Sequence, residues 1–356
     1  MKEESIEFSS SSKVFYNPNM KFCRSFFSLA VGSINEDLHI LDAFSATGIR
    51  GIRYKKENKN VTSINFLDYS KNAIQLIKKN TKKNRIKAKI HCEEFGRYLL
   101  NQKKPQFNFI EIDPFGTPVP YLHDAMRGLS RQKTSYLSVT ATDTAVLCGS
   151  SKKACLRNYH SNPLNNEFTH ENGLRILIKR IIESASEFNL AVTPLVSLSD
   201  RHYLKTLVKL EKNAKKSDLN IEQFGYINFC FKCHHRSAGE FVSICSCGEK
   251  FVHGGPQWLG ELHDLGFLNT MKTLNKMKNY SDHEEIEKAL NLMIGEIGMP
   301  PFFYNIHILS QLLGLKAVPK TDVILKKVDG VKTHFNKLGF KTKKPFEDVI
   351  KAVILA

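Results

Sequence analysis

Short apolar runs alternate with helical patterns over roughly the first 210 residues of the chain. Helices are predicted from about Ile49 and over Ser70–Asn80, where Ser70 is a suitable N-terminal cap. The apolar runs predict strands at His39–Phe44, Ser63–Leu67, Lys87–His91, Phe107–Ile112, Ser135–Thr140, Leu190–Val196 and His202–Leu210. Strands that alternate with helices favour an α/β fold, in which a mostly parallel sheet carries helices on both faces.

The pattern changes after the last of these strands. Glu211–Asn220 is polar and charged, which is typical of a linker, and a cysteine-rich segment with helices and short strands follows it. We therefore expect one domain over residues 1–214 and a smaller α+β domain over residues 215–356. No apolar run approaches the roughly 18 residues that a membrane span needs, so no membrane association is expected.

Charge is the first indication of a partner. The 356 residues include 52 Lys and Arg against 35 Asp and Glu, a formal net charge of +17. Such an excess suits a polyanion such as nucleic acid, although a lysine-rich solvated surface is the alternative. The eight cysteines are sparse, and the N-terminus has no apolar signal core. We therefore expect a reducing, cytoplasmic environment.

A glycine-containing turn, Asp42–Gly51, follows the first predicted strand and opens a helix. Gly48 allows close approach of the backbone to a ligand, and Asp68 ends the next strand, where a carboxylate can bind both ribose hydroxyls of a nucleoside. Glu94 and Phe95 follow the third strand, where an acid and a ring could hold adenine. Each feature alone also fits a helix-capping turn, but three in order favour a nucleoside site.

The fourth predicted strand ends in the turn Asp113-Pro114-Phe115-Gly116. The Asp113 carboxylate and the Pro114 carbonyl can accept the two N–H bonds of an exocyclic amine, while the Phe115 ring stacks on the base. These two hydrogen bonds would direct the lone pair of the amine nitrogen at an electrophile. We expect the Asp113 carboxylate to face the ligand pocket and not to be held in an internal ion pair.

Several motifs together resemble one enzyme family. They are VFYNPNM (residues 14–20) with a following Arg24, then DAFSATGIRGIR, IDPFGTP and SVTATDTAVLCG. The chain is similar to the archaeal branch of the tRNA (guanine-26-N2)-dimethyltransferases, which are class I S-adenosylmethionine-dependent methyltransferases. The resemblance implies a Rossmann-like domain with a seven-stranded sheet. It also implies that S-adenosylmethionine donates two methyl groups in succession to N2 of one guanine in tRNA.

The resemblance also implies roles for single residues. Arg24 and Arg50 would contact the cofactor or a nearby acid, and Asp68 would bind the ribose. The catalytic residues would be Asp113, Pro114 and Phe115, and the cofactor-binding residues Arg24, Asp42, Gly48, Arg50, Asp68, Glu94 and Phe95. The chain departs from the family pattern at Glu94-Phe95, where Asp-Ala is usual, and at Cys23, where Asn is usual.

Two other functions fit some of these residues. A related methyltransferase could act on another guanine, or on adenine N6 in RNA or DNA, because the Asp-Pro-Phe turn suits any exocyclic amine. A non-catalytic, zinc-bearing RNA-binding protein is the second alternative. The presence of Asp42, Asp68 and Asp113 argues against it, because a vestigial site has no physical need for these acids.

Four cysteines lie close together in the sequence at Cys230, Cys233, Cys245 and Cys247. Two pairs of thiolates suit tetrahedral zinc without an open position, and hence a structural site. Either adjacent histidine could replace a ligand, while a redox dithiol or an iron–sulfur cluster is the rival interpretation.

The C-terminal third is rich in lysine, notably in Lys316–Lys320 and Asp329–Phe346. Its cations are expected to bind tRNA phosphates, and Phe335 or Phe340 could stack on a base. A solvated lysine-rich face over a small core is the alternative interpretation of this stretch.

Overall fold

The computed structural model describes all residues from Met1 to Ala356. The strands are β1 Lys2–Glu3, β2 Ile6–Glu7, β3 Leu38–Ala43, β4 Val61–Asp68, β5 Lys89–Cys92, β6 Phe109–Ile112, β7 Thr134–Ala141, β8 Leu190–Asp200, β9 Tyr203–Lys212, β10 Phe224–Phe229, β11 Arg236–Gly239, β12 Val252–Trp258, β13 Tyr304–Asn305, β14 Val331–Lys332 and β15 Gly339–Lys341. The helices are α1 Lys21–Gly32, α2 Ile49–Glu57, α3 Lys71–Lys83, α4 Phe95–Leu100, α5 Val119–Leu129, α6 Thr144–Leu147, α7 Lys152–Tyr159, α8 Thr169–Ser186, α9 Ala214–Glu222, α10 Leu265–Asn275, α11 His283–Glu296, α12 Ile306–Leu312, α13 Thr321–Val328 and α14 Phe346–Ile354.

A seven-stranded sheet with the order β5-β4-β3-β6-β7-β9-β8 forms the centre of the molecule. Strands β3 to β7 pair in parallel, and β9 runs antiparallel to both β7 and β8. The order reverses between β3 and β6, and ligands bind beyond the carboxyl ends of strands at such a switch point. The prediction of a mostly parallel, seven-stranded sheet is confirmed.

The boundaries of the predicted elements differ from the observed ones mainly in the last hairpin. Strands β8 and β9 extend to Asp200 and Lys212, because their cross-strand pairing continues beyond the apolar runs. The prediction that residues 211–220 form a linker is wrong. They hold the end of β9 and most of α9, whose Asn220 donates to and accepts from the backbone of Val192 in β8. The predicted cap is confirmed, since Ser70 accepts from the Ala73 N–H.

Alternate residues of each central strand point to opposite faces of the sheet, and helices cover both faces. One face packs against α1, α2 and α3, through side chains such as Phe26, Ile52 and Ile77. Met271 of α10 and Leu290 of α11 join the same core. The late helices therefore return to cover the sheet.

The opposite face packs against α4, α5 and α8 and also receives Trp258 and Leu262 from the second half of the chain. The sheet β11-β10-β12 and the sheet β13-β15-β14 follow in the α+β remainder. A separate small core gathers residues of α12, α13 and α14 around Phe340. None of the helices is long and apolar enough to traverse a bilayer.

The N-terminal arm is fixed to the first core by one buried carboxylate. Glu3 accepts from Arg24 Nε at 2.8 Å and Nη2 at 2.7 Å, and from Arg53 Nη1 at 2.9 Å. All three side chains are at most 5% exposed. Burial disfavours the charged form of Glu3, but the two guanidinium groups outweigh burial and lower its pKa.

Removal of this carboxylate tests how far the buried arrangement stabilises the fold. Glu3→Ala leaves two guanidinium groups buried without their shared partner, and such breaks cost about 3–5 kcal/mol of unfolding free energy. Glu7→Ala is the control, since the Glu7–Lys83 pair is exposed on both sides; it should change the unfolding free energy by less than about 0.5 kcal/mol. Urea unfolding measures the unfolding free energy of both variants. Equal losses would contradict a stabilising role of the buried Glu3 carboxylate.

Candidate active site and metal centre

The carboxyl ends of β3, β4, β5 and β6 lie side by side. Ala43 is in register with Leu67 on one side and with Ile112 on the other, and Asp68 faces Cys92. The glycine-containing turn, Asp68, Glu94 and the Asp113 turn therefore meet along one edge of the sheet. This is the shared location that the sequence pattern predicts for them.

The turn after β3 has an unusual backbone. Phe44 and Ala46 have φ values of +71° and +47°, and Gly48 has φ +76°. Non-glycine residues in this region carry strain, which concentrates at functional sites. Ser45 stabilises the turn, because its hydroxyl donates to the Asp42 and Leu67 carbonyls.

Two of the predicted acids hold backbone at this edge. Asp68 accepts from the Ala46 N–H and the Ser70 N–H, both at 2.9 Å. Glu94 caps α4 by accepting from the N–H groups of Gly96 and Arg97 at 2.9 and 2.8 Å, and these bonds lower its pKa. A carboxylate offers about four lone-pair sites, so each acid retains acceptor capacity for a ligand.

Asp42 lies beneath the turn and not on its open side. It is 2% exposed, and its Oδ2 accepts from the Gly51 N–H at 3.1 Å. Burial, followed by the neighbouring Glu111 carboxylate, raises the pKa of Asp42 to about 8. The structure thus places Asp42 as a neutral support of the α2 start.

The aromatic side chains near the predicted adenine position differ in exposure. Phe95 is 4% exposed and packs against Phe44 and Tyr121, with ring centroids 5.6 and 5.9 Å away. Tyr69, which directly follows Asp68, is 80% exposed. Sequence reasoning missed Tyr69, although its position after the strand-ending acid was a usable signal.

The turn after β6 departs from expectation at Asp113. Its Oδ2 is paired with Arg50 Nη2 at 2.5 Å, so the expectation of a carboxylate outside any internal ion pair is wrong. The physical reason is that Arg50 is only 8% exposed and needs a carboxylate partner. Burial opposes ionisation of Asp113, but Arg50 and Lys205 outweigh it and lower its pKa. The side chain remains 21% exposed, so Asp113 is not closed off from solvent.

A buried charge cluster of Arg50, Glu111, Asp113 and Lys205 lies under this turn. Glu111 pairs with Lys205, lies 3.7 Å from Arg50 Nε, and accepts from the Tyr54 hydroxyl at 2.9 Å. The other three side chains of the cluster thus hold the Asp113 carboxylate in place. Sequence reasoning missed Glu111 and Lys205, because each lies within an apolar strand pattern.

Phe115 projects from the turn and is 76% exposed, whereas Pro114 is buried. The Phe115 ring meets Phe15 edge to face, with centroids 4.8 Å apart, and Phe15 is itself 52% exposed. Two exposed aromatic rings beside this sheet edge form a surface on which a base can stack. Phe15 lies in the N-terminal motif, but sequence reasoning assigned it no role.

Arg24, predicted near the cofactor, donates to Glu3 and to the Asn17 carbonyl. It therefore fixes the N-terminal motif that carries Phe15. Arg50 contacts an acid, Asp113.

The four cysteines meet as predicted, with all four sulfur atoms within 4.8 Å of one another. Sγ of Cys230 is 3.6 Å from that of Cys247, and Cys233 is 3.5 Å from Cys245. Tetrahedral zinc with bonds of about 2.3 Å requires sulfur atoms about 3.8 Å apart. The donor set fits structural zinc.

The strand order, the glycine-containing turn and the acids along one sheet edge define a class I S-adenosylmethionine-dependent methyltransferase fold. The family model described as N2,N2-dimethylguanosine tRNA methyltransferase matches residues 1–354. The chain belongs to this family.

Named relatives agree with this assignment. A tRNA (guanine(26)-N(2)/guanine(27)-N(2))-dimethyltransferase of Aquifex aeolicus is 37% identical over 96% of this chain and 90% of its own length. A tRNA (guanine(26)-N(2))-dimethyltransferase of Methanobrevibacter smithii is 33% identical over 96% of this chain and 91% of its own length. Trm1 from Pyrococcus horikoshii, solved with S-adenosyl-L-methionine, superimposes with a TM-score of 0.87 at 29% identity, covering 98% of this chain and 97% of that one.

The raised pKa of Asp42 predicts a pH dependence of stability. The folded chain retains a proton that the unfolded chain releases above about pH 4, so this group makes unfolding free energy fall as pH rises towards 8. Asp42→Asn should make that decline shallower between about pH 5 and 8 in urea unfolding. Asp37→Asn, at an exposed site, is the control and should leave the decline of unfolding free energy with pH unchanged. An unchanged decline in the Asp42 variant would contradict a protonated Asp42.

Metal content tests the cysteine cluster. Freshly purified protein should hold about one equivalent of zinc, and Cys233→Ser should lose most of it, because three thiolates bind more weakly than four. Cys92→Ser is the matched control, since Cys92 is exposed and outside the cluster. Iron content with visible absorption would indicate an iron–sulfur cluster instead of zinc. Less than about half an equivalent of metal would contradict a zinc site and an iron–sulfur cluster alike.

Proposed function

We propose that this protein transfers two methyl groups from S-adenosylmethionine to N2 of guanine 26 in tRNA. The observation that carries the proposal is the turn after β6. It brings an ionised Asp113 and an exposed Phe115 to the sheet edge where the glycine-containing turn lies. Family membership supports the same reaction.

We assign cofactor binding to the turn around Gly48, to Asp68 and to Glu94, with Tyr69 beside them. The strained backbone of Phe44 and Ala46 fits a close-fitting cradle, and the acids suit the ribose hydroxyls and the adenine amine. The bound cofactor supplies an electrophilic methyl group. Asp42 and Arg24 act further from it, by holding the turn and the N-terminal motif.

Asp113 accepts a hydrogen bond from the guanine N2 amine, and the Pro114 carbonyl accepts the second. Guanine N2 is a weak nucleophile, because its lone pair is delocalised into the ring, and these bonds favour the localised form. Arg50 keeps Asp113 ionised at neutral pH, so the carboxylate acts as an acceptor without first losing a proton. Most of the rate then comes from positioning and charge complementarity.

The guanine reaches this turn by leaving its stack in the tRNA. The exposed face of Phe115, whose ring Phe15 contacts edge to face, receives the extruded base and offsets part of the cost of unstacking. N2 gains a methyl group in the first transfer and releases one proton to solvent, so only one N–H remains on N2. The second transfer therefore needs the amine to rotate and to release one of its two acceptors.

The remaining assignments rest on the same proposal. Residues 1–214 carry the chemistry, and residues 215–356, with structural zinc at the four cysteines, contribute tRNA binding. Free thiols are kept reduced in the cytoplasm, and we place the protein there.

The proposal predicts that Asp113→Asn loses methyl transfer while it retains cofactor binding. The amide keeps the shape of the side chain, but it cannot supply the same charged acceptor, so kcat should fall by at least about 100-fold. Incorporation of labelled methyl groups into a tRNA transcript measures kcat, and calorimetric titration measures cofactor affinity. Asp124→Asn, in an ion pair with Arg127 on α5, is the matched control.

The substrate controls use a transcript whose guanine 26 is replaced and nucleoside analysis of the product. N2,N2-dimethylguanosine that disappears with the replacement supports the proposal. N6-methyladenosine would establish the adenine-directed alternative, and saturable cofactor binding without transfer to any RNA would establish a non-catalytic protein. Near-normal turnover by the Asp113 variant would overturn the role of the carboxylate.

A further inference from the structure

Helix α7 presents cations to solvent that have no partner within the protein. Lys152, Lys153 and Arg157 are exposed, and none has a carboxylate oxygen within 4.0 Å. The helix itself, KKACLRNY, contains no acidic residue. The nearest contact with a carboxylate in the sequence is that of His160, just beyond the helix, whose Nδ1 lies 3.8 Å from Glu183. We call Lys152, Lys153 and Arg157 the α7 cations.

The inner side of the same helix is tied to the catalytic turn. Cys155 and Tyr159 are buried, and the Tyr159 hydroxyl donates to Asp143 at 2.9 Å. The Thr117 hydroxyl, in the turn that begins at Asp113, donates to the Tyr159 oxygen at 3.0 Å. An eight-residue helix is only about 12 Å long, so the α7 cations lie close to this anchor.

A second link joins this region to the turn. The Gly116 N–H donates to the Thr142 hydroxyl at 2.8 Å, and the Thr142 N–H donates to the Gly116 carbonyl at 3.0 Å. Thr142 and Asp143 belong to one segment that leads into α6 and α7. The turn that carries Phe115 and the helix that carries the α7 cations therefore form one hydrogen-bonded unit.

We infer that the α7 cations bind the tRNA phosphates that flank the extruded guanine. The inference rests on the proposed function and deepens it, because it assigns part of the tRNA interface to the catalytic domain. Unpaired lysine and arginine side chains favour phosphate through release of counterions. Two lysines of the C-terminal stretch are paired within the protein, Lys332 with Asp322 at 2.8 Å and Lys344 with Asp329 at 3.3 Å, whereas all three α7 cations are unpaired.

The test replaces the α7 cations by alanine, as Lys152→Ala, Lys153→Ala and Arg157→Ala together. Alanine favours helix and the positions are exposed, so the fold should persist. Affinity for tRNA in filter binding should fall by about tenfold or more, and the slope of log affinity against log salt should shrink by about 2 to 3. Cofactor affinity should stay within a few-fold of that of the unsubstituted protein.

A matched control removes the same charge elsewhere. Lys78, Lys79 and Lys82 of α3 are also exposed and have no carboxylate oxygen within 4.0 Å, and their triple alanine variant should leave tRNA affinity within about threefold. Ethylation interference on the tRNA locates the contacts. Interference at phosphates next to nucleotide 26 should be present with the unsubstituted protein and absent with the α7 variant.

The outcomes separate this inference from the proposed function. Equal losses of tRNA affinity in the α3 and α7 variants would show that only overall charge matters and would contradict the inference. Unchanged tRNA affinity in the α7 variant would overturn it too. Interference confined to phosphates remote from nucleotide 26 would overturn it as well. Filter binding needs no methyl transfer, so absence of dimethylguanosine would refute the proposed function without removing the binding result.

Discussion

The ion pair between Arg50 and Asp113 is the interaction on which the catalytic end of the sheet depends. Arg50 is almost wholly buried and is shared between Asp113 and Glu111, while Lys205 compensates Glu111. A buried charge without a partner is costly, so these four side chains constrain one another. Burial and the Glu111 carboxylate raise the pKa of Asp42 to about 8, which favours its neutral form, so the two cations chiefly face the carboxylates of Glu111 and Asp113.

This balance explains how an ionised acceptor can be held at the edge of an apolar sheet. Arg50 is the second residue of α2, which directly follows the strained turn, so the same element borders the proposed cofactor site and orients Asp113. The Tyr54 hydroxyl fixes Glu111 from one turn further along α2. The proposed cofactor and amine sites therefore share α2 as a support.

The sequence predicts the sheet and the position of the catalytic turn, because both depend on local patterns. Apolar runs identify β3 to β9, and Pro114 marks the end of β6. The pairing of Asp113 with Arg50 was not predictable in this way, since it joins residues 63 positions apart and depends on how α2 packs. Helix α9 was missed for a different reason: it buries only Ser217, so its polar sequence resembles a linker.

The second half of the chain is bound to the catalytic half by buried charge as well as by apolar contacts. Glu171 of α8 accepts from Lys341 Nζ at 2.8 Å and from Arg175 Nη2 at 2.9 Å, and Lys341 also reaches Glu296 at 3.1 Å. Breaking this arrangement would leave charges without partners inside the protein. On the proposal that the second half binds tRNA, these buried ion pairs would hold the bound tRNA in a defined orientation to Asp113. Under that proposal the selection of one guanine depends on the whole chain, and residues 1–214 alone would not be expected to reproduce it.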